Sequence, residues 1–167
     1  MSSLDFNSIS DLVRQAQEGN SNAFAELYAA TYQKQYVFAL DYLEDVFLAQ
    51  DALQETYIYA LNNISRLTEG TMAVTWITAQ NFDICLRLKC AVKNCNPGTV
   101  TVKVDGKRYT MGQIMHLPAS EELSVALRYH CGMTMKQIAS LLEIRRSAVR
   151  RYVKSGSERL AQEGAIL

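Results

Sequence analysis

Residues 134–154 read TMKQIASLLEIRRSAVRRYVK, and the spacing of their apolar side chains decides the fold. Thr134 is a helix-capping residue, and Ile138, Ala139, Leu141 and Leu142 follow it as one inward face. Glu143-Ile144 makes a tight turn. A second helix is expected from about Arg145 to Ala161, with Ala148, Val149, Tyr152, Val153 and Leu160 inward. A short helix, a turn and a second helix form a helix-turn-helix unit. Its outer face is basic: Arg145, Arg146, Arg150, Arg151, Lys154 and Arg159 leave Glu158 as the only acid from 145 to 159. Cations at a helix start oppose the macrodipole by about 0.3–1 kcal/mol each. Arg145 and Arg146 therefore weaken their helix unless an anion meets them. A duplex phosphate backbone does so, because the N-terminal end of the second helix lies in the major groove in this motif. The competing reading is a helical hairpin with a solvated basic face; the crowding of cations favours DNA.

Upstream of this unit, Leu123, Ala126 and Leu127 belong to another helix, ended by Gly132. Before it the period changes to two. Val100, Val102 and Val104 alternate with Thr101 and Lys103 and run into Asp105-Gly106, a strong hairpin signal. A lone hairpin is marginal in water, so it is expected to pack on a helical domain as an ordered connector. The N-terminal part is helical again. Leu12, Val13 and Ala16 share a face and Gly19 stops the helix, with Asn20, Ser21 and Asn22 as caps for the next. The next stripe is Phe24, Leu27, Tyr28, Thr31, Gln35, Phe38 and Tyr42. After a break near Glu44-Asp45 come Ala49, Leu53, Tyr57, Ala60 and Ile64. Residues 62–75 read as a loop, and a fourth helix runs from near Thr75 through Trp76 to about Lys93.

The 167 residues, 49% of them hydrophobic, with only 2 prolines and 8 glycines, suit an all-α protein of two small domains. The expected organisation is a four-helix domain over 1–93, a linker with a β-hairpin over 94–116 and a helix-turn-helix domain over 117–167. No apolar run approaches the roughly 18 residues that span a bilayer. The start, MSSLDFNSISDLVRQ, has neither a basic region nor an apolar stretch, which predicts a cytoplasmic protein without membrane insertion.

The formal charge is zero, from 17 basic and 17 acidic residues, but it is unevenly placed. Residues 1–69 carry Arg14, Lys34 and Arg66 against ten acids, a net −7; residues 70–116 are +4 and residues 117–167 are +3. Such asymmetry predicts that different parts of the chain meet different partners.

The order of these motifs resembles the extracytoplasmic-function group of bacterial sigma factors, the promoter-recognition subunits of RNA polymerase. In the C-terminal part the resemblance is carried by Leu117-Pro118, Ala126-Leu127-Arg128-Tyr129, Gly132-Met133-Thr134, Gln137-Ile138-Ala139, Leu141-Leu142, Val149 and Glu158-Arg159-Leu160. In the N-terminal part it is carried by Leu12-Val13, Ala16, Gly19, Ala23-Phe24, Leu27-Tyr28, Asp51, Gln54-Glu55-Thr56-Tyr57 and Thr75-Trp76. The resemblance implies that Asp51, Gln54, Glu55 and Thr56 dock on a coiled coil of core RNA polymerase. It implies that the helix from Trp76 to Lys93, with Trp76, Asn81, Arg87 and Lys89, engages the minus-ten element of promoter DNA as a single strand. Thr134, Lys136, Arg145, Arg146, Ser147, Arg150, Arg151 and Lys154 would engage the minus-thirty-five element as a duplex, and an anti-sigma factor is a further implied partner.

The chain departs from the family pattern in two places. The bases usual after the Thr-Trp pair are missing from 77–86, where Asp83 is the one charge. The turn glycine is Glu143, and Arg145 stands where a capping serine usually opens the recognition helix, leaving the cap to Ser147 or to no side chain. A sigma-derived helix-turn-helix regulator that no longer melts promoters is accordingly the alternative.

Enzymatic readings find little support. The chain has 2 histidines, no Gly-rich phosphate loop and no nucleophile-base set, so neither a small-molecule substrate nor a cofactor is expected. Cys85, Cys90, Cys95 and Cys131 lack zinc-site spacing, and no metal is expected. Cys85 reads as a core thiol, while Cys90 and Cys95 near the linker allow a redox role that nothing else in the sequence supports. Tyr28, Tyr32, Tyr36, Tyr57 and Tyr59 read as core and rim packing.

Overall fold

The computed structural model describes residues 6–166. The chain divides after Leu88 into two compact units. Helix α1 (Phe6–Gln17) ends before Gly19, whose φ of 95° is left-handed. The Asn20 side chain then accepts from the N–H groups of Asn22 and Ala23 and opens α2 (Ser21–Leu43). Glu44 closes α2 in the left-handed conformation, and Asp45 caps α3 (Val46–Asn63) by accepting from Leu48 N–H at 3.0 Å. The segment read as a loop holds two 3₁₀ turns, Ile64–Arg66 and Gly70–Met72. The second leads directly into α4 (Ala73–Lys93), which therefore starts two residues before Thr75.

The core of the first unit joins Ile9, Leu12 and Val13 to Ala23, Leu27, Ile64, Ala73 and Val74. Beside it lies a polar chain between α2 and α4. Gln35 Nε2 donates to Thr78 Oγ1 at 2.8 Å, and Asn81 Nδ2 donates to both the backbone O and Oε1 of Gln35 at 3.1 and 3.0 Å. The Cys85 thiol donates to Asn81 Oδ1 at 3.4 Å. All four side chains are buried, so their partners remove the penalty of about 1–3 kcal/mol per unpaired group.

In the second unit, β1 (Thr101–Val104) and β2 (Lys107–Thr110) pair antiparallel with Val102 opposite Tyr109. Asp105 and Gly106 both have positive φ, the requirement of a type I′ turn. The hairpin buries Val102, Val104 and Tyr109 and is fastened at its tip, where Tyr129 O–H donates to Asp105 Oδ1 at 2.9 Å. A helix absent from the sequence reading follows, α5 (Met111–Met115), opened by a capping box between Thr110 and Gln113. Helix α6 (Ala119–Val125) continues as a π turn to His130, and Gly132 at φ 71° ends it. A second capping box, Thr134 with Gln137, starts α7 (Met135–Leu142). Glu143, left-handed at φ 56°, turns the chain into α8 (Arg146–Glu163).

Helix α8 buries Val149, Val153, Gly156 and Leu160. At Gly156 it presses on α6: a Cβ there would stand 2.6 Å from Val125 Cγ2 and 3.4 Å from Glu121 Cβ. Val125 is β-branched and fully buried, so it has no room to yield. In an open helix, Gly→Ala gains about 1 kcal/mol; here overpacking of about 1–3 kcal/mol opposes that gain. Gly156→Ala is therefore expected to lower the midpoint of chemical denaturation. A midpoint above that of the unaltered chain would contradict the close crossing.

Candidate nucleic-acid interface

The N-terminus of α8 is left open. Arg145 occupies the N-cap position with extended backbone and makes no side-chain capping bond, and Ser147 supplies none either. Of the two possibilities left by the sequence, the helix has no side-chain cap. Arg145, Arg146, Ser147, Arg150, Arg151 and Lys154 are all exposed. The Arg151 guanidinium lies 5.3 Å from the ring centre of Tyr152, and among the described residues none of these five cations has a carboxylate within salt-bridge distance. Thr134 and Lys136 are exposed at the start of α7, although the Thr134 hydroxyl is committed to Gln137 N–H at 3.1 Å. Arg150 and Lys154 also line a groove with Asp105, Tyr129 and Ser157.

Arg159 differs from these cations. Its Nε stands 2.9 Å from Glu121 Oε2, while Ser155 O–H donates to Glu121 Oε1 at 2.8 Å. Glu121 is only 8% exposed, so α8 spends this one arginine on holding α6. The arrangement separates a structural edge from a face carrying five unopposed positive charges, four of them within the first two turns. Orphan N–H groups and the positive end of the macrodipole add to that charge. Chemically, the face suits a polyanion.

In the first unit, Asp51, Gln54 and Glu55 are exposed on α3. Thr56, grouped with them from the sequence, is fully buried, its hydroxyl donating to Ala52 O at 2.7 Å. A threonine hydroxyl satisfied by its own helix costs little to bury. The sequence reading missed three apolar neighbours, Phe47, Ile58 and Leu61, exposed by 78%, 53% and 56%. With Asp51 and Gln54 they form a stripe at alternating spacings of four and three, one face of α3. The available signal was that these three fall out of phase with Ala49, Leu53, Ala60 and Ile64.

The proposed minus-ten residues are not gathered on one surface. Trp76 is half-buried, its ring 5.8 Å from that of Tyr59. Asn81 belongs to the buried chain with Gln35 and does not reach solvent. Arg87 lies between Asp83 at 3.5 Å and Glu55 at 4.0 Å; the three are about half-exposed, so these pairs are weak. Lys89 is half-buried. His130 is held below its ordinary pKa by burial and then by the ammonium groups of Lys89 and Lys93.

Tyr28, Tyr32 and Tyr36 run along α2 with ring centres 5.1 and 5.9 Å apart, and Tyr57 meets Tyr28 edge-on at 4.6 Å. Among the described residues, no three His, Cys, Asp or Glu side chains stand together to hold a metal ion, and no helix is long and apolar enough to cross a membrane.

Residues 114–162 match the family described as sigma-70, region 4. No curated protein sequence matches the chain. Among solved structures the chain is similar to CnrH, determined in complex with the cytosolic domain of CnrY. That match has 16% identity, covers 95% of this chain and 99% of the other, and has a TM-score of 0.49. The segment matched to region 4 runs from α5 to α8 and contains the whole helix-turn-helix. Residues 114–162 of the C-terminal unit, which include the basic helix, are thus similar to sigma-70 region 4.

Proposed function

We propose that the chain is a sigma factor of the extracytoplasmic-function type, which binds core RNA polymerase and directs it to specific promoters. The observation that carries this reading is the uncapped, arginine-rich start of α8 within a region 4 domain. Entering the major groove end-on, α8 would set Arg145, Arg146, Ser147, Arg150, Arg151 and Lys154 against the minus-thirty-five duplex, with Thr134 and Lys136 reaching the flanking backbone. The stripe of Phe47, Asp51, Gln54, Ile58 and Leu61, with Glu55 and Thr56 beside it, would dock on core polymerase, its apolar side chains supplying contact area and its acids orientation. Promoter DNA, core polymerase and an anti-sigma factor are the partners of this reading, and its setting is the cytoplasm. The protein acts by positioning an enzyme and is not itself a catalyst.

The second reading, a helix-turn-helix regulator that does not melt promoters, draws on α4. With Asn81 in the core and Arg87 between two acids, the cation of that helix that is exposed and outside an acid pair is Lys93 at its C-terminal end, while Trp76 is half-buried. A melted strand needs stacking surfaces along a positive track.

Two outcomes test the assignment. Arg150→Ala and Arg151→Ala should each weaken duplex binding and flatten the dependence of log affinity on log salt by about one unit per lost phosphate contact. An unchanged slope in both would remove α8 from the DNA. Asp51→Lys should abolish co-purification with core polymerase while duplex binding and thermal melting stay as in the unaltered chain. Retention of the polymerase by that variant would refute the docking face.

A further inference from the structure

The C-terminal end of α4 is closed by the backbone in a way that brings two thiols together. Asn94 is left-handed at φ 54°. Its N–H donates to Ala91 O at 3.3 Å, and the next N–H, of Cys95, donates to Cys90 O at 2.9 Å. These are the paired 5→2 and 6→1 bonds of a Schellman closure. The 6→1 bond folds the chain back so that the side chains of its two residues meet, a contact usually made by two apolar groups. Here both are cysteines, and they are not joined.

The two sites are unequal. Cys90 is 3% exposed, whereas Cys95 is open to solvent. Burial and the neighbouring Cys95 thiol push the Cys90 thiol up to about 11, against the opposing pull of Lys93 and Lys89. Cys85 differs: it lies in the first unit's core, its thiol on Asn81 and pushed up to about 12 by burial.

We propose that Cys90 and Cys95 are a peroxide-responsive dithiol, in which exposed Cys95 is oxidised first and buried Cys90 resolves it to an intramolecular disulfide. The Cys95 thiolate attacks one peroxide oxygen; an S–O bond forms, the O–O bond breaks, and the leaving hydroxide takes up a proton as water. The Cys90 sulfur then attacks the Cys95 sulfenic acid. The S–S bond forms, the S–O bond breaks, and the departing hydroxide carries off the Cys90 proton as a second water. Two thiols have lost two electrons, and the peroxide has gained them.

The hydrogen-bonded backbone already holds the residues together, so little chain entropy separates the two states. The cross-link closes a very short loop and stabilises little in return. Its Cys95 sulfur stays open to attack by a reducing thiol, the property of labile rather than structural disulfides. A reversible pair of this kind is compatible with a reducing compartment, where lasting disulfides are rare.

Lys93 lies between the two cysteines, so tryptic cleavage converts the bond into two linked peptides, 90–93 and 94–103. The full chain is treated with hydrogen peroxide, its remaining thiols alkylated, and the digest read by mass spectrometry before and after reduction. The linked pair is expected from the unaltered chain and from Cys85→Ser and Cys131→Ser, and lost in Cys90→Ser and Cys95→Ser. In Cys90→Ser, a sulfenic acid trapped at Cys95 by dimedone is expected. Unlinked peptides alkylated at both cysteines, or linkage only between molecules, would overturn the proposal. So would sulfenic acid first at Cys90, which Cys95→Ser with dimedone would reveal by faster labelling than Cys90→Ser.

Discussion

With no side chain at Gly156, α8 lies directly against α6, and a clamp of three polar residues beside the crossing keeps it there. Glu121 on α6 receives Ser155 and Arg159 from α8, at 2.8 and 2.9 Å. A nearly buried carboxylate is costly unless its oxygens are occupied, so the clamp is directional: rotating α8 about its axis would strand the Glu121 charge. The orientation of Arg145 to Lys154 follows from it. Val149, Val153 and Leu160 bury the same side of the helix that carries Gly156, which leaves the unopposed cations on the other.

The charge distribution follows the same division of labour. The acidic N-terminal part puts Asp51, Gln54 and Glu55 on a face that also exposes Phe47, Ile58 and Leu61, a mixture suited to a protein surface. The basic C-terminal part puts arginines where they work against their own helix dipole, at a cost of about 0.3–1 kcal/mol each. A fold left to its own stability would place acids or a capping side chain there. A zero total is therefore the sum of two surfaces of opposite sign. With little net positive charge to draw the free protein to DNA, the chain alone is expected to bind duplex weakly.

Much of this could be read from residue order. Helical spacing located the long helices, Asp105-Gly106 located the hairpin, and Thr134 located the start of the helix-turn-helix, because each is a local rule that the tertiary structure did not override. What stayed hidden depends on contacts between distant residues. The resemblance placed Asn81 and Thr56 among binding residues, yet one completes a buried hydrogen-bonded chain to Gln35 and the other bonds its own helix. Gly156 carries no signal in residue order and is a crossing point. Helix α5 did have a local signal, Thr110 followed three residues later by Gln113, overlooked inside a segment read as linker. The closure that joins Cys90 to Cys95 needed a left-handed Asn94, which residue order permits but does not require.

The most direct test is run-off transcription with core RNA polymerase and this protein over a library of promoter fragments. Discrete transcripts that begin at positions set by a shared upstream motif, and that are missing without the protein or with Asp51→Lys, are predicted. Specific duplex binding without transcripts, on supercoiled as well as linear templates, would contradict the sigma-factor account and leave a helix-turn-helix regulator in its place.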